Sequence, residues 1–284
     1  MLHSFDKRLQ SLSVCLLLGL SCMPLCAAEP PENPLPPKPW NPSIPTPLSD
    51  DMTGFKQLFD GKSLAGWKGD PAHWRVENGE IVGEATKENP LKAHSYLAWQ
   101  GGRIANFDIR LEYKINKMGN SGFVYRANQD PGYKWGLRGY QFDIDGAGWG
   151  QQFHEGKGKE KGWSLDRSTG SNYSEDKVGE RTWIALPGEI THATSGGHQQ
   201  VVGTLGDPKE LTANIHEEGW NKLRVIVRGN TMIHILNGRV MSMVIDDDMV
   251  NRRMDGLISV QVHRGPPLKV EFRNIYLKDL GKVP

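Results

Sequence analysis

Residues 107–115 read Phe-Asp-Ile-Arg-Leu-Glu-Tyr-Lys-Ile, the clearest strand pattern of the chain. Apolar and charged side chains alternate along this stretch, as expected for a β-strand with one buried and one polar face. One face carries Phe107, Ile109, Leu111, Tyr113 and Ile115, and the other carries Asp108, Arg110, Glu112 and Lys114. The stretch therefore predicts a β-strand that covers a hydrophobic core.

Similar short runs recur on both sides of this stretch. They cover residues 74–76, 81–84, 122–126, 140–145, 220–227, 232–236, 240–245, 257–263 and 270–277. Asn78-Gly79 and Asn237-Gly238 each separate two alternating runs, which is a strong signal for a tight hairpin. A helical pattern is limited to about two turns, at residues 247–254. These features predict a single all-β domain, a jelly-roll β-sandwich of two antiparallel sheets.

The segment 146–214 is polar and rich in glycine. We expect it to form long loops over one face of the sandwich, with one hairpin around Gly196-Gly197.

The N-terminus has the pattern of an export signal. Lys7 and Arg8 precede an apolar run over residues 12–25, and Cys26-Ala27-Ala28 follows. This order predicts a secretory signal peptide over 1–28 and a secreted or periplasmic protein without a membrane span after signal removal. Two alternatives stay open: an uncleaved N-terminal anchor, and a lipoprotein attached through Cys22 or Cys26.

The rest of the chain carries no cysteine, because Cys15, Cys22 and Cys26 all lie in the predicted signal. Disulfides and thiolate metal sites are therefore not expected in the mature protein. Residues 29–50 are rich in proline and predict an extended linker, and residues 54–281 predict the folded domain. Lys plus Arg number 34 against 33 for Asp plus Glu, which argues against a nucleic-acid partner.

Two of the predicted strands have polar faces of an unusual composition. Gln141, Asp143 and Asp145 alternate with apolar residues in one strand, and Gln261 and His263 do so in another. A solvated sheet face favours Lys, Glu and Thr, whereas these residues offer short, directional hydrogen-bonding groups. Carboxylates two positions apart on a strand have Cα atoms about 6.6 Å apart, a spacing that suits paired-carboxylate sugar chemistry.

Other residues are expected near the same face. Arg126 ends the strand that begins with Asn120-Ser121-Gly122, so its guanidinium is expected at the same rim. Glu112 lies on the polar face of the strand at 107–115. The pattern favours a carbohydrate-sized cleft, although a plain solvated face explains any one of these strands.

The domain also resembles a known family over about residues 54–280. The matching segments are Phe55-Lys56-Gln57-Leu58-Phe59-Asp60-Gly61-Lys62-Ser63-Leu64, Gly66-Trp67, Trp74-Arg75-Val76-Glu77-Asn78-Gly79-Glu80-Ile81, Phe107-Asp108-Ile109-Arg110-Leu111-Glu112-Tyr113, Asn120-Ser121-Gly122-Phe123-Val124-Tyr125-Arg126, Gly139-Tyr140-Gln141-Phe142-Asp143-Ile144, Trp220-Asn221, Leu236-Asn237-Gly238, Gly256-Leu257-Ile258-Ser259-Val260-Gln261-Val262-His263 and Val270-Glu271-Phe272-Arg273-Asn274-Ile275. This order of segments resembles the 3-keto-disaccharide hydrolase family, whose fold is a concanavalin-like jelly roll. Gly170, Tyr173 and Arg181 are similar to a loop of some members, whereas the tract 150–167 has no clear counterpart.

The resemblance implies cleavage of a glycoside that a separate sugar oxidoreductase has already oxidised at C3. Such chemistry needs a base near C2, a positive group at the developing enolate, and a proton donor for the leaving oxygen. His263 or Asp143 is the expected base and Glu112 the expected acid. Arg126, or a divalent cation held by Asp143, Asp145 and His263, is the expected enolate stabiliser.

The remaining expectations concern binding. No organic cofactor is expected. Substrate contacts are expected from Gln141, Asp145, Gln261, Asn120, Tyr173 and Arg181.

Three other functions remain open at this level. A non-catalytic carbohydrate-binding, lectin-like module would use the same fold and bind sugar through aromatic stacking. A conventional retaining glycoside hydrolase would need a glutamate pair, whereas position 141 is Gln. A purely structural envelope protein would not need the polar row.

Overall fold

The computed structural model describes residues 51–149, 167–175 and 182–281, and within these ranges seventeen β-strands form two sheets. The expected signal peptide, the expected linker, Arg181 and residues 150–166 lie outside the described residues.

The larger sheet contains β1 (Lys56–Gln57), β3 (Trp74–Glu77), β4 (Glu80–Ala85), β6 (Phe107–Ile115), β11 (Glu189–Thr194), β12 (His198–Thr204), β13 (Asn221–Arg228), β14 (Thr231–Leu236), β15 (Arg239–Asp246) and β17 (Leu268–Asp279). Its strand order is β12-β11-β15-β14-β13-β6-β17-β4-β3, and β1 pairs with β17.

The smaller sheet contains β2 (Trp67–Lys68), β5 (Ser95–Trp99), β7 (Asn120–Gln129), β8 (Leu137–Asp145), β9 (Asn172–Ser174), β10 (Trp183–Ala185) and β16 (Leu257–Val262). Its strand order is β10-β9-β8-β7-β16-β5-β2. A short helix, α1 (Pro208–Thr212), is capped by the side chain of Asp207, which accepts a hydrogen bond from the Lys209 N–H.

The hydrophobic core lies between the two sheets. The apolar face of β6 belongs to it, together with Tyr140, Phe142 and Ile144 of β8 and the alternate residues of β16. These side chains are almost fully buried, and each large apolar side chain contributes about 1.5–3 kcal/mol on burial. The same alternation turns the polar residues of β8 and β16 to the outer face of the smaller sheet.

An imidazole ring is buried between the two sheets. The fully buried ring of His234 lies 2.9 Å from the Tyr125 hydroxyl through Nε2 and 3.2 Å from the Ser171 carbonyl through Nδ1. Burial lowers the pKa of His234 from 6.5 to about 3. The imidazole is therefore neutral, with Nδ1–H donating to Ser171 and Nε2 accepting from Tyr125.

The predicted all-β sandwich is confirmed, and so is the hairpin at Gly196-Gly197, which joins β11 and β12. Three local expectations were wrong. The strands β9 and β10 lie within a segment that, apart from this hairpin, was expected to form loops, and β9–β12 extend both sheets. One of them, β11, pairs in parallel with β15, so the larger sheet is mixed.

The third error concerns the expected helix at 247–254, which consists of turns and bends. Here the carboxylate of Asp248 accepts hydrogen bonds from the Val250 and Asn251 N–H groups, a local arrangement that competes with a helix. No helix in the described part of the chain is long and apolar enough to cross a membrane.

Candidate functional site

The outer face of the smaller sheet brings residues of four strands into neighbouring rows. Tyr96 of β5 is opposite Gln261 of β16, and Gly122 of β7 is opposite Asp143 of β8. Because Gly122 has no side chain, Gln141 can occupy the space above it. A Cβ atom added at Gly122 would lie 2.3 Å from Gln141 Cδ.

Asp143 is a buried carboxyl group at the centre of this face, with 3% of its surface exposed. Its carboxyl oxygens accept hydrogen bonds from Gln141 Nε2 at 2.9 Å and from Ser168 Oγ at 2.5 Å. Burial, with the neighbouring negative charge of Asp145, raises the pKa of Asp143 well above 3.8. The raised pKa favours the protonated form, which suits Asp143 to donate a proton better than to accept one.

Asp145 has a structural role. Its buried carboxylate accepts hydrogen bonds from the backbone N–H groups of Ser168 and Thr169 at 3.0 and 2.9 Å, and it also bonds the Thr169 hydroxyl. Arg167 Nε lies 3.4 Å from the same carboxylate. Asp145 therefore anchors the segment 167–169 and places the Ser168 hydroxyl on Asp143, rather than facing a substrate.

Glu175 is a functional candidate that the sequence analysis missed. It lies next to β9, and its carboxylate accepts a hydrogen bond from Gln261 Nε2 at 2.8 Å. The same amide nitrogen donates to the Tyr96 hydroxyl at 2.9 Å. Continuing the alternation from Tyr173 by two positions would have placed Glu175 on this face.

The negative charge of Glu175 reaches several groups of the face. It adds to burial in raising the pKa of Tyr96 well above 10, and it does the same for Tyr173. It also contributes to the raised pKa of Asp143. Two carboxyl groups, Asp143 and Glu175, thus lie within electrostatic range of each other on one face.

Three buried acceptors on this face have no hydrogen-bond partner among the described residues. They are Gln141 Oε1, Gln261 Oε1 and Ser259 Oγ. Leaving such a group unsatisfied costs about 1–3 kcal/mol. Gln141 and Gln261 each use the amide nitrogen to orient a carboxyl group.

A cavity of about 400 Å³ opens beside Glu175. Its walls include His94, Tyr96, Tyr133, Arg138 and Glu175. This volume is within the range of about 300–1,000 Å³ that is usual for small-molecule sites.

His263 lies at the edge of this region. Its ring centroid is 4.1 Å from that of His94 and 4.8 Å from that of Trp149, and its backbone N–H donates to the Asn120 carbonyl at 3.3 Å. Tyr173, paired with Gln141 in the sheet, packs its ring on Trp183 at 4.8 Å. The structure therefore brings Asn120, Gln141, Asp143, Gln261, His263 and Tyr173 to one face.

Glu112, the expected acid, does not lie on this face. Its strand, β6, belongs to the larger sheet, where Arg273 Nε lies 2.8 Å from the Glu112 carboxylate. Alternation assigns a residue to the core side or the outer side of its sheet, but it does not say which of two sheets holds the strand.

Arg126 is also placed elsewhere than expected. It adopts a positive φ of 48° at a bulge of β7, and its side chain is 1% exposed. The guanidinium donates to the carbonyls of Ala105 and Arg253 at 2.7–3.0 Å. These contacts tie connecting segments together and commit the guanidinium to the fold rather than to the expected enolate contact.

The residues expected to hold a metal ion do not form a ligand cluster. Within residues 51–149, 167–175 and 182–281, no group of three or more His, Cys, Asp or Glu side chains could hold a metal ion. Asp145 is committed to the segment 167–169, and Asp143 to Gln141 and Ser168. Asp143, Asp145 and His263 therefore do not fit a divalent cation as a ligand set.

Comparison with known proteins adds the family relationship. The model of a family described as "3-keto-alpha-glucoside-1,2-lyase-like domain" matches residues 54–278. A protein named 3-keto-disaccharide hydrolase from Bacteroides thetaiotaomicron is 32% identical over 93 residues, a match that covers 29% of this chain and 30% of that protein.

Among solved structures, a candidate glycosyl hydrolase from Parabacteroides distasonis superposes with a TM-score of 0.52 at 23% identity. The superposition covers 80% of this chain and 95% of that one. At this level of sequence identity, the similarity indicates a shared fold only.

Proposed function

Because this chain belongs to the 3-keto-alpha-glucoside-1,2-lyase-like domain family, we propose that it cleaves glycosides whose sugar already carries a ketone at C3. One observation carries the proposal: Asp143 and Glu175 lie on one sheet face, each held by the amide nitrogen of a glutamine. Pairs of carboxyl groups in different environments are the usual source of one acid and one base.

In the proposed reaction, the C3 ketone makes the proton at C2 acidic. The Glu175 carboxylate removes this proton, and its electron pair forms the C2–C3 double bond of an enolate. The C1–O bond then breaks as the ketone re-forms, and protonated Asp143 delivers a proton to the departing oxygen. The products are a free alcohol and an enone, to which water can add.

The residues around the pair have positioning roles in this proposal. Gln141 and Ser168 hold the Asp143 carboxyl, and Gln261 holds Glu175. His263, expected as a base, would support the edge of the site through His94.

This chemistry also defines the reaction that must come first. An unoxidised glycoside has no acidic proton at C2, so an enzyme that oxidises the C3 hydroxyl has to supply the substrate. We propose a sugar oxidoreductase as this functional partner, with the cleavage step occurring after export.

The test measures release of the alcohol from a 3-keto-glucoside and from its unoxidised parent, with and without EDTA. We expect the alcohol to be released only from the keto compound. The Glu175→Gln variant should release it about 100- to 10,000-fold more slowly than wild type. Glu112→Gln is the matched control, since it removes a carboxylate from the other sheet and should leave the rate unchanged. Sugar binding without release from any keto-glycoside would refute the enzyme and favour a binding module.

A further inference from the structure

A cation is needed where the enolate oxygen develops, and Arg126 cannot supply it. Its guanidinium is held by the carbonyls of Ala105 and Arg253, which belong to connecting segments. Arg167 is paired with Asp145 and Glu217. Among the described residues that line the cavity beside Glu175, Arg138 carries the only guanidinium or ammonium group.

The turn that carries one wall of this cavity is preorganised. Gln129 Nε2 donates to the carbonyls of Tyr133 and Lys134 at 3.0 Å and to that of Gly136 at 2.8 Å. The Tyr96 N–H donates to the Trp135 carbonyl at 3.1 Å, which joins the turn to β5. Groups on such a turn keep their positions when a ligand binds, so they lose little entropy.

Arg138 is oriented at the start of β8 by Asp130. Its Nε lies 3.1 Å from Asp130 Oδ2 and its Nη2 lies 3.2 Å from Oδ1. The Gly132 N–H donates to the same carboxylate at 2.8 Å. This two-point contact fixes the plane of the guanidinium and leaves Nη1 without an acceptor among the described residues.

We propose that Arg138 binds the C3 oxygen of the keto-sugar and stabilises the enolate that forms when Glu175 removes the C2 proton. The inference rests on the proposed function and names the group that recognises the oxidised sugar. An unoxidised sugar has a hydroxyl at C3 that never becomes an anion, so Arg138 would favour the transition state of the keto-sugar alone.

Hydrogen–deuterium exchange at C2 tests this step apart from cleavage. The substrate is a 3-keto-sugar without a leaving group at C1, incubated in D2O and followed by NMR. The wild-type protein is expected to exchange the C2 proton, and Arg138→Ala to exchange it about 100- to 1,000-fold more slowly. Asp143→Asn should keep the exchange while losing cleavage of a keto-glycoside, because exchange needs no leaving group.

Arg103→Ala is the matched control. Arg103 and Arg138 have equally exposed side chains, each at 47%, and Arg103 pairs with Asp255 as Arg138 does with Asp130. The control is expected to exchange at the wild-type rate. Added guanidinium should restore part of the exchange in Arg138→Ala, an effect that a purely structural role of Arg138 would not produce.

The outcomes separate the two proposals. A wild-type protein that neither exchanges nor cleaves contradicts the proposed function itself. A wild-type protein that does both, with Arg138→Ala exchanging at the same rate, overturns only the role of Arg138. If urea denaturation shows that Arg138→Ala does not fold, Arg138→Gln with and without guanidinium gives the same comparison.

Discussion

At the scale of the residue, three carboxylates show how environment assigns roles. Asp143 and Asp145 are two positions apart on β8, yet Asp145 lies beside the Arg167 guanidinium and accepts two backbone N–H groups. Among the described residues, Asp143 accepts hydrogen bonds from the neutral side chains of Gln141 and Ser168. Glu112 has the same chemistry but neutralises Arg273 on the other sheet. The proton-donor role falls to Asp143 because no cationic side chain of the described residues pairs with it.

Asp143→Asn is expected to separate stability from function. Since the pKa of Asp143 is raised on folding, ionising this group opposes folding, and stability is lost as pH rises above 3.8 toward the raised value. The variant should therefore unfold at a higher urea concentration than wild type at pH 7, while losing cleavage. Equal or lower stability at pH 7 would contradict the assigned protonation state.

Arg126 supports the fold rather than the chemistry in this structure. Arg126→Ala removes the charged donor from two partly buried carbonyl groups, and each hydrogen bond to a charged group contributes about 1.5–3 kcal/mol. We expect the free energy of unfolding to fall by about 3 kcal/mol, measured by urea denaturation. The folded fraction should keep its C2 exchange rate, and a selective loss of exchange at unchanged stability would restore Arg126 to the site.

At the scale of the element, the site depends on how two strands fit together. Strand β7 leaves a gap at Gly122, and the side chain of Gln141 from β8 fills it and thereby reaches Asp143. A glycine inside a strand usually marks such a close approach. The pairing register, together with the absence of a side chain at Gly122, therefore positions the acid.

Gly122→Ala tests this fit. The added Cβ would lie 2.3 Å from Gln141 Cδ, at the far end of a flexible side chain, so Gln141 should move off Asp143 while the strands remain paired. We expect a loss of about 100-fold in cleavage rate and a stability loss of about 1–3 kcal/mol. Gly203→Ala on β12 is the control, with a nearest contact of 3.1 Å and an expected wild-type rate. A fully active Gly122→Ala would contradict the positioning role of Gln141.

At the scale of the whole molecule, the two sheets share a buried polar contact through His234. Burial in the core disfavours the charged ring and lowers the pKa of His234 from 6.5 to about 3. The unfolded chain therefore binds a proton that the folded chain does not, and acid favours unfolding in this window.

The free energy of unfolding should fall as pH drops from about 6.5 toward 3, by about 1.4 kcal/mol per pH unit from His234. Urea denaturation of wild type and His234→Gln over this range measures the effect. The variant should be less stable at pH 7 and show a flatter dependence, since glutamine does not titrate. Parallel curves for the two proteins would rule out the buried neutral ring.

The alternation in residues 107–115 and 140–145 was enough to predict strands and their buried sides, because the period of two is a property of the local backbone. It also placed Gln141, Asp143 and Gln261 away from the core. It failed to find β5, whose run Ser-Tyr-Leu-Ala-Trp has buried side chains on both faces of the smaller sheet and therefore no alternation of apolar and charged residues.

The amino-acid sequence alone determined the all-β class, the core sides of the strands and the polar row of β8 and β16. Only the tertiary structure decided that Glu112 and Asp143 lie on different sheets, that Arg126 supports connecting segments, and that Glu175 meets Gln261. Such pairings join residues far apart in the chain, and they depend on strand order and register. A local pattern contains neither, because each strand alternates in the same way whichever sheet it enters.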